Sequence, residues 1–274
     1  MLGVGSFFGY TIIEVMIFLA ISGALFVSAS ALISGRQERT MFQQSVNTMS
    51  QNLEDLLNDV STGFYPSNSD FGCDNSSGTP SIYSVIPPGS KQQGTNEGCI
   101  FSGKLLSFTT SPASSTYSVY TMVSGSPDLS LPGSNPTINT VSTLLLGTPN
   151  PGVIDRRTNN SDVNISKIFE DGSTPVISYN NLAIVSDFGS LSATGTLSAN
   201  ASKAKLYWYK QALPTASANT QLAKTEFMQV SSDRTIIICL QQGTGAGPSR
   251  KAYITLTPQL TVSKITGTQK AGCP

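Results

Sequence analysis

The chain begins with a long apolar stretch that passes into an amphipathic one. Residues 7–33 are apolar or small throughout, apart from Glu14. About 20 such residues suffice for a helix to cross a bilayer. Beyond Gly35, apolar residues recur every three or four positions, which places them in one stripe on a helix. The members of this stripe are Phe42, Val46, Met49, Leu53, Leu56 and Val60.

Together these stretches predict a single helix from about Thr11 to about Val60. No proline precedes Pro66, and only Gly23 and Gly35 weaken the helix. We expect residues 10–35 to form a transmembrane segment, since they are apolar all round. Residues 36–60 should continue as an amphipathic helix whose stripe packs on a soluble domain.

The rest of the chain, residues 61–274, reads as short strands with polar connections. Turn-forming residues dominate 61–98 and predict a long loop, and Asp155-Arg156-Arg157 is interpreted as a turn. Residues 104–110 and 116–123 predict a hairpin, and the nearly all-apolar stretch 234–240 predicts a central strand. Further strands are expected at 140–146, 176–179, 182–185, 203–210, 252–256 and 260–265. The pattern predicts an α+β fold with the helix packed on an antiparallel sheet.

Composition narrows the chemistry that the chain can perform. There is no histidine among the 274 residues, which removes Ser-His-Asp and Cys-His mechanisms and most zinc sites. The glycine-rich run 243–247 lacks the Lys-Ser/Thr of a phosphate-binding loop. We therefore expect no enzyme activity, no cofactor and no metal site.

Charge is balanced overall but unevenly distributed. Residues 200–274 carry a net charge of +7, and residues 36–199 carry −6. The basic residues of 200–274 are interpreted first as part of a solvent-exposed surface, although this surface could also attract an anionic polymer such as DNA.

Glu14 is the unusual residue of the N-terminal segment. A charged side chain within a bilayer is costly and generally has a partner and a function. An ordinary signal peptide or a plain signal anchor would account for the apolar run, but neither accounts for Glu14.

The residues around Glu14 carry a resemblance. Gly9, then Tyr10-Thr11-Ile12-Ile13-Glu14-Val15, then about twenty apolar residues, resembles the N-terminus of type IV prepilins and type II secretion pseudopilins. The shared features are a small residue before the cleavage site, an aromatic residue after it, and glutamate as the fifth residue of the mature chain. The resemblance covers roughly residues 1–60.

The resemblance implies a pilin-like fold and a structural function. Residues 1–9 would be a leader, removed by a prepilin peptidase between Gly9 and Tyr10, with methylation of the new Tyr10 amine. Glu14 would direct subunit assembly by meeting the amine of a neighbouring subunit. The implied partners are this peptidase, other pilins or pseudopilins, an inner-membrane assembly platform and, before assembly, membrane lipid. The subunit would start as a single-pass membrane protein whose β-rich head, residues 61–274, lies on the extracytoplasmic side, and it would end in a cell-surface or periplasmic filament.

Four cysteines lie beyond the apolar segment: Cys73, Cys99, Cys239 and Cys273. An even number outside the span is typical of an oxidising compartment. Three pairings exist, and free thiols are the alternative. We favour Cys73–Cys99 and Cys239–Cys273, which are nearest in sequence and each close a polar loop. A disulfide that closes a C-terminal loop is also a feature of pilins.

The large head and its long loops favour a minor pilin or pseudopilin at or near a filament tip, where it would prime assembly or present a binding head for a surface ligand or DNA. The alternative is a membrane-anchored extracytoplasmic binding protein without a filament role.

Overall fold

The computed structural model describes residues 11–62, 71–74, 81–84, 100–108, 115–124, 144–147, 155–158, 163–173, 176–186, 204–213, 220–242, 250–267 and 270–274. They form one long α-helix and fourteen β-strands, an α+β fold as predicted. By its contacts the chain divides into two units, Met1–Gln43 and Gln44–Pro274.

Helix α1 runs from Ile12 to Thr62 without interruption, which confirms the predicted helix to within two residues at either end. Serine and threonine hydroxyls within it donate to carbonyls one turn back, as Ser28 does to Ala24 and Thr40 does to Arg36. In the first unit the large apolar side chains of α1 between Ile12 and Val27 are exposed.

The part of α1 in the second unit is amphipathic. The stripe predicted from sequence is buried here: Val46, Met49, Leu53, Leu56 and Val60 are at most 1% exposed. Near the end of the helix, the carbonyl of Val60 accepts a hydrogen bond from the Ser186 hydroxyl at 3.4 Å. Burial of one face explains why these apolar positions recur at the helical period.

The strands belong to three antiparallel sheets. A small sheet pairs β1 (Phe71–Asp74) with β2 (Ser81–Ser84). An eight-stranded sheet contains β3 (Ile100–Phe108), β4 (Thr116–Ser124), β5 (Leu144–Gly147), β6 (Asp155–Thr158), β8 (Asn181–Ser186), β9 (Ala204–Tyr209), β10 (Thr220–Gln221) and β11 (Phe227–Gln229). A four-stranded sheet contains β7 (Val163–Glu170), β12 (Ile236–Gln242), β13 (Lys251–Leu256) and β14 (Val262–Thr266).

The eight-stranded sheet has the order β10-β5-β4-β3-β8-β9-β11, and β6 also pairs with β4. It contains the predicted hairpin, with Leu105 opposite Tyr120. One face of the sheet forms an apolar cluster that includes Leu105, Tyr120, Ala183 and Tyr207. Along β9 the alternate residues are also buried, so that Trp208 is fully enclosed. The sheet therefore buries side chains on both of its faces.

The four-stranded sheet has the order β14-β13-β12-β7. Its apolar strand β12 lies between β7 and β13, which confirms the central strand predicted there. Ile236, Ile238 and Ile254 are fully buried. The edge strand β14 is exposed along most of its length.

The structure differs from the sequence predictions in several places, which include the short strands β10 and β11, for which the sequence predicted no strand. The stretch 61–98 contains β1 and β2, and the predicted turn at Asp155 is the strand β6. Residues 176–179 are not a strand, because the backbone of Ile177 forms its hydrogen bonds with residues of the preceding turn. The Ile177 carbonyl accepts from the Glu170 amide, and the Ile177 amide donates to the Ser173 hydroxyl.

Strand β7 was not predicted, and a β-bulge explains why. Its pairing with β12 passes from Cys239–Lys167 to Leu240–Ile165, so Ser166 is an extra residue. Ile165 is buried before the bulge and Ile168 after it, so the buried residues no longer recur at every second position. The period of two that identifies a strand in a sequence is therefore lost.

Candidate functional site

The first turn of α1 contains Glu14, for which the resemblance predicts a role in subunit assembly. Thr11 precedes the helix and caps it: the Glu14 amide lies 3.0 Å from the Thr11 carbonyl oxygen and 3.3 Å from its hydroxyl oxygen. Glu14 thus sits in the first turn, where a carboxylate interacts favourably with the helix dipole. Gly9 and Tyr10 lie outside the described residues.

The segment after Thr11 is suited to an apolar environment. Residues Ile12–Ser30 have a mean hydropathy of 2.3 and are 0% buried, so this helix is long and apolar enough to cross a membrane. Glu14 is the only charged residue within it. In the part of the chain that the structure describes, no ion pair to Glu14 is present.

The C-terminal residues 270–274, here called the C-terminal strap, are held against the four-stranded sheet. Cys273 forms a disulfide with Cys239 of β12, with a Cα–Cα distance of 5.6 Å. The Lys167 ammonium donates to the Gly272 carbonyl at 3.0 Å and lies over the Phe169 ring. These contacts fix the end of the chain on the apolar patch formed by Phe169, Ile237 and Cys239.

An ion pair adds to the attachment of the strap. The Lys270 ammonium lies 2.8 Å from the Asp171 carboxylate, and both side chains are about one third exposed. The hydrogen bond to Asp171 raises the pKa of Lys270 above its usual value. The strap is thus joined to the sheet by a covalent bond, hydrogen bonds and a charge pair.

Of the two favoured cysteine pairings, the structure contains Cys239–Cys273. Cys73 lies on β1, but its side chain is not described, and Cys99 lies outside the described residues. The pairing of these two cysteines stays a prediction.

A buried polar cluster joins the two larger sheets. The Trp208 indole nitrogen of β9 donates to one oxygen of the Glu170 carboxylate at 3.0 Å, and Arg234 lies 3.4 Å from the other oxygen. Glu170 is 2% exposed, and the Arg234 side chain is 32% exposed. Each carboxylate oxygen has a donor, so the group is stabilised as an acceptor rather than placed to react with a substrate.

This cluster was not found from the sequence. In the sequence, Glu170 stands beside Asp171 just before Gly172, a pattern that indicates only a turn, and a turn is present at residues 171–172. A signal did exist, since Trp208 is the single tryptophan and buried indole N–H groups generally have a partner. Sequence spacing could not indicate which acceptor it would meet.

The described residues contain no group of three or more His, Cys, Asp or Glu that could hold a metal ion. No protein-family model, curated protein or solved structure matches this chain.

Proposed function

We propose that the chain is a minor pilin or pseudopilin, a structural subunit of a type IV pilus-like or type II secretion filament. The observation that carries the proposal is the position of Glu14. It lies in the first turn of an exposed apolar helix and is the only charge in a segment of 19 residues.

Processing would complete this arrangement. Cleavage after Gly9 by a prepilin peptidase makes Tyr10 the first residue, and its amine would lie just before the Thr11 cap. Glu14 then becomes the fifth residue, one helical turn from the new terminus. The mature helix would carry one positive and one negative group at its otherwise apolar end.

The two charges favour assembly because neither is stable alone in an apolar medium. Each has a high desolvation cost, and pairing with an opposite charge reduces that cost. When helices bundle, the Glu14 carboxylate of one subunit would meet the Tyr10 amine of another. A subunit in the wrong axial register would leave its charge unpaired, so the pair would also set the register.

The rest of the chain supports an extracytoplasmic head. The Cys239–Cys273 disulfide is of a kind that persists in oxidising compartments. Before assembly the apolar helix would lie in the membrane, where an assembly platform would collect the subunit together with other pilins. The large head and its loops favour a place at or near the filament tip.

Mass spectrometry of the protein purified from its native cells tests the proposal. We expect a chain that begins at Tyr10 and carries a methyl group on its α-amine. A chain that still begins at Met1 would contradict the proposal and favour an anchored binding protein without a filament role. A chain cut after Ala31 would show that the segment is an ordinary signal peptide.

A further inference from the structure

A cavity in the second unit has features of a binding site. It measures about 260 Å³ and lies between residues 178–181, before and at the start of β8, and residues 210–212, after β9. Sites for drug-sized ligands occupy about 300–1,000 Å³, so this one is matched to a smaller molecule of roughly one ring.

The first wall of the cavity is irregular but firmly held. The Ser178 hydroxyl donates to the Ile168 carbonyl at 2.6 Å, and the Asn180 carbonyl accepts from the Phe108 amide at 2.8 Å. This segment is therefore tied to β7 and to β3 on either side. Because this wall is ordered before a ligand binds, binding does not have to supply the free energy needed to order it.

The second wall is held by a buried amide. The Asn181 side chain, 4% exposed, donates to the Gln211 carbonyl at 2.7 Å. The Lys210 amide donates to the Glu226 carbonyl at 3.1 Å. The backbone at residues 210–211 is thus fixed from both sides, while the side chains of Lys210 and Gln211 are exposed.

The chemistry of the lining side chains is complementary to an acidic sugar. Tyr179 is half-buried, and its ring centroid lies 6.0 Å from that of the buried Trp208, with the two ring planes at 52°. An aromatic ring that lines a cavity can pack against the apolar C–H face of a sugar. The Gln211 amide oxygen accepts from the Tyr209 hydroxyl at 3.5 Å, which directs its NH₂ group to other acceptors such as sugar hydroxyls. Lys210 supplies a cation for a carboxylate.

We propose that this cavity binds one acidic sugar unit of a glycan. Tyr179 packs on the ring, Gln211 donates to a hydroxyl, and Lys210 pairs with the carboxylate. An acidic peptide is disfavoured because the cavity volume of about 260 Å³ is smaller than that of sites for drug-sized ligands. The inference does not depend on filament assembly, since an anchored binding protein would carry the same site.

Titration of the full-length chain in detergent micelles with glucuronic acid, and separately with glucose, tests the site. Trp208 is the only tryptophan and neighbours Tyr179, so its fluorescence reports on the cavity. Isothermal titration calorimetry provides a second readout that does not depend on fluorescence. We expect saturable binding of glucuronic acid in the millimolar range, about 10-fold tighter than that of glucose.

Three variants assign the binding to the cavity. Lys210→Met should weaken glucuronic acid binding about 10-fold and leave glucose binding unchanged. Tyr179→Ala should weaken the binding of both sugars. Lys264→Met removes an exposed lysine from β14, outside the cavity, and should change neither. Circular dichroism melts establish that each variant is folded.

Several results would overturn the proposal. These are no saturable heat with either sugar up to tens of millimolar, equal effects of Lys210→Met and Lys264→Met, or tighter binding of a short poly-glutamate peptide than of glucuronic acid.

Discussion

The indole N–H of Trp208 donates to the Glu170 carboxylate across 3.0 Å and thereby joins β9 of the eight-stranded sheet to β7 of the four-stranded sheet. Trp208 is fully buried and Glu170 nearly so. A buried carboxylate without donors would be strongly unfavourable, so an arrangement of the two strands that breaks this bond is disfavoured. This pair therefore specifies how the two sheets meet.

Replacement of Glu170 tests this role. Glu170→Ala should lower the free energy of unfolding by about 2–4 kcal/mol, because it leaves the indole N–H without an acceptor and Arg234 without its partner. Glu170→Gln keeps an acceptor for the indole and should cost less. Urea unfolding followed by Trp208 fluorescence measures both.

The matched control is Asp55→Asn, which removes an exposed carboxylate from α1 and should change stability by less than about 0.5 kcal/mol. If Glu170→Ala were as stable as this control, the cluster would not hold the sheets together.

Removal of the Cys239–Cys273 disulfide should destabilise the second unit, Gln44–Pro274. The bond joins residues 34 apart, for which the chain-entropy relation gives about 4 kcal/mol. We expect a loss of this size in a Cys239→Ala/Cys273→Ser double variant, measured by urea unfolding under oxidising conditions. Unfolding in the presence of reductant is the control: the variant should lose less stability on reduction than the natural protein does. An unchanged midpoint in the variant would contradict a stabilising role.

Gly103 should not accept a side chain. It lies at a register shift between β3 and β4 with φ +145°, and a Cβ there would be 2.0 Å from the Ile184 carbonyl oxygen. Because that atom belongs to the backbone of β8, it cannot move aside. Gly103→Ala should cost about 4 kcal/mol or more.

Gly172 provides the control, since it also has a positive φ, +78°, but a Cβ there would have nothing within 4 Å. Gly172→Ala should cost only about 1–2 kcal/mol, from conformation alone. Equal thermal shifts for the two variants would refute the predicted backbone clash.

Stability should fall in alkaline solution. The bond to Asp171 raises the pKa of Lys270, and burial raises the pKa of Tyr209. A group whose pKa is higher in the folded state stabilises fully below its unfolded pKa and loses this contribution as the pH rises through the folded pKa. The free energy of unfolding should therefore decrease above about pH 10.

Lys270→Met should make that decrease shallower, whereas Lys264→Met, at an exposed lysine of β14, should not. Urea unfolding between pH 8 and pH 11 makes the comparison. Identical pH profiles for Lys270→Met and the natural protein would exclude the ion pair as a cause.

Glu14 should be needed for filament incorporation but not for membrane insertion. Glu14→Leu removes the charge and increases hydrophobicity, so we expect the subunit to remain in the membrane fraction and to be absent from sheared filaments. Ser22→Leu makes a similar apolar change elsewhere in the same segment and should leave incorporation intact. Normal incorporation of Glu14→Leu would argue against charge pairing.

The sequence predicted those elements that are marked by a pattern of apolar residues within the element itself. The helix was predicted because apolar residues recur at its own period, and β12 because RTIIICL is nearly all apolar. Strand β7 escaped because its bulge at Ser166 breaks the alternation on which prediction depends.

By itself, then, the sequence determined the apolar segment with its single charge, the amphipathic stripe, the main hairpin and a short set of cysteine pairings, because each depends on neighbours along the chain. Only the tertiary structure decided that Glu170 meets Trp208 and Arg234, and that residues 178–181 face residues 210–212 across a cavity. These contacts join residues tens of positions apart, so they arise from strand order and register, which local pattern does not encode.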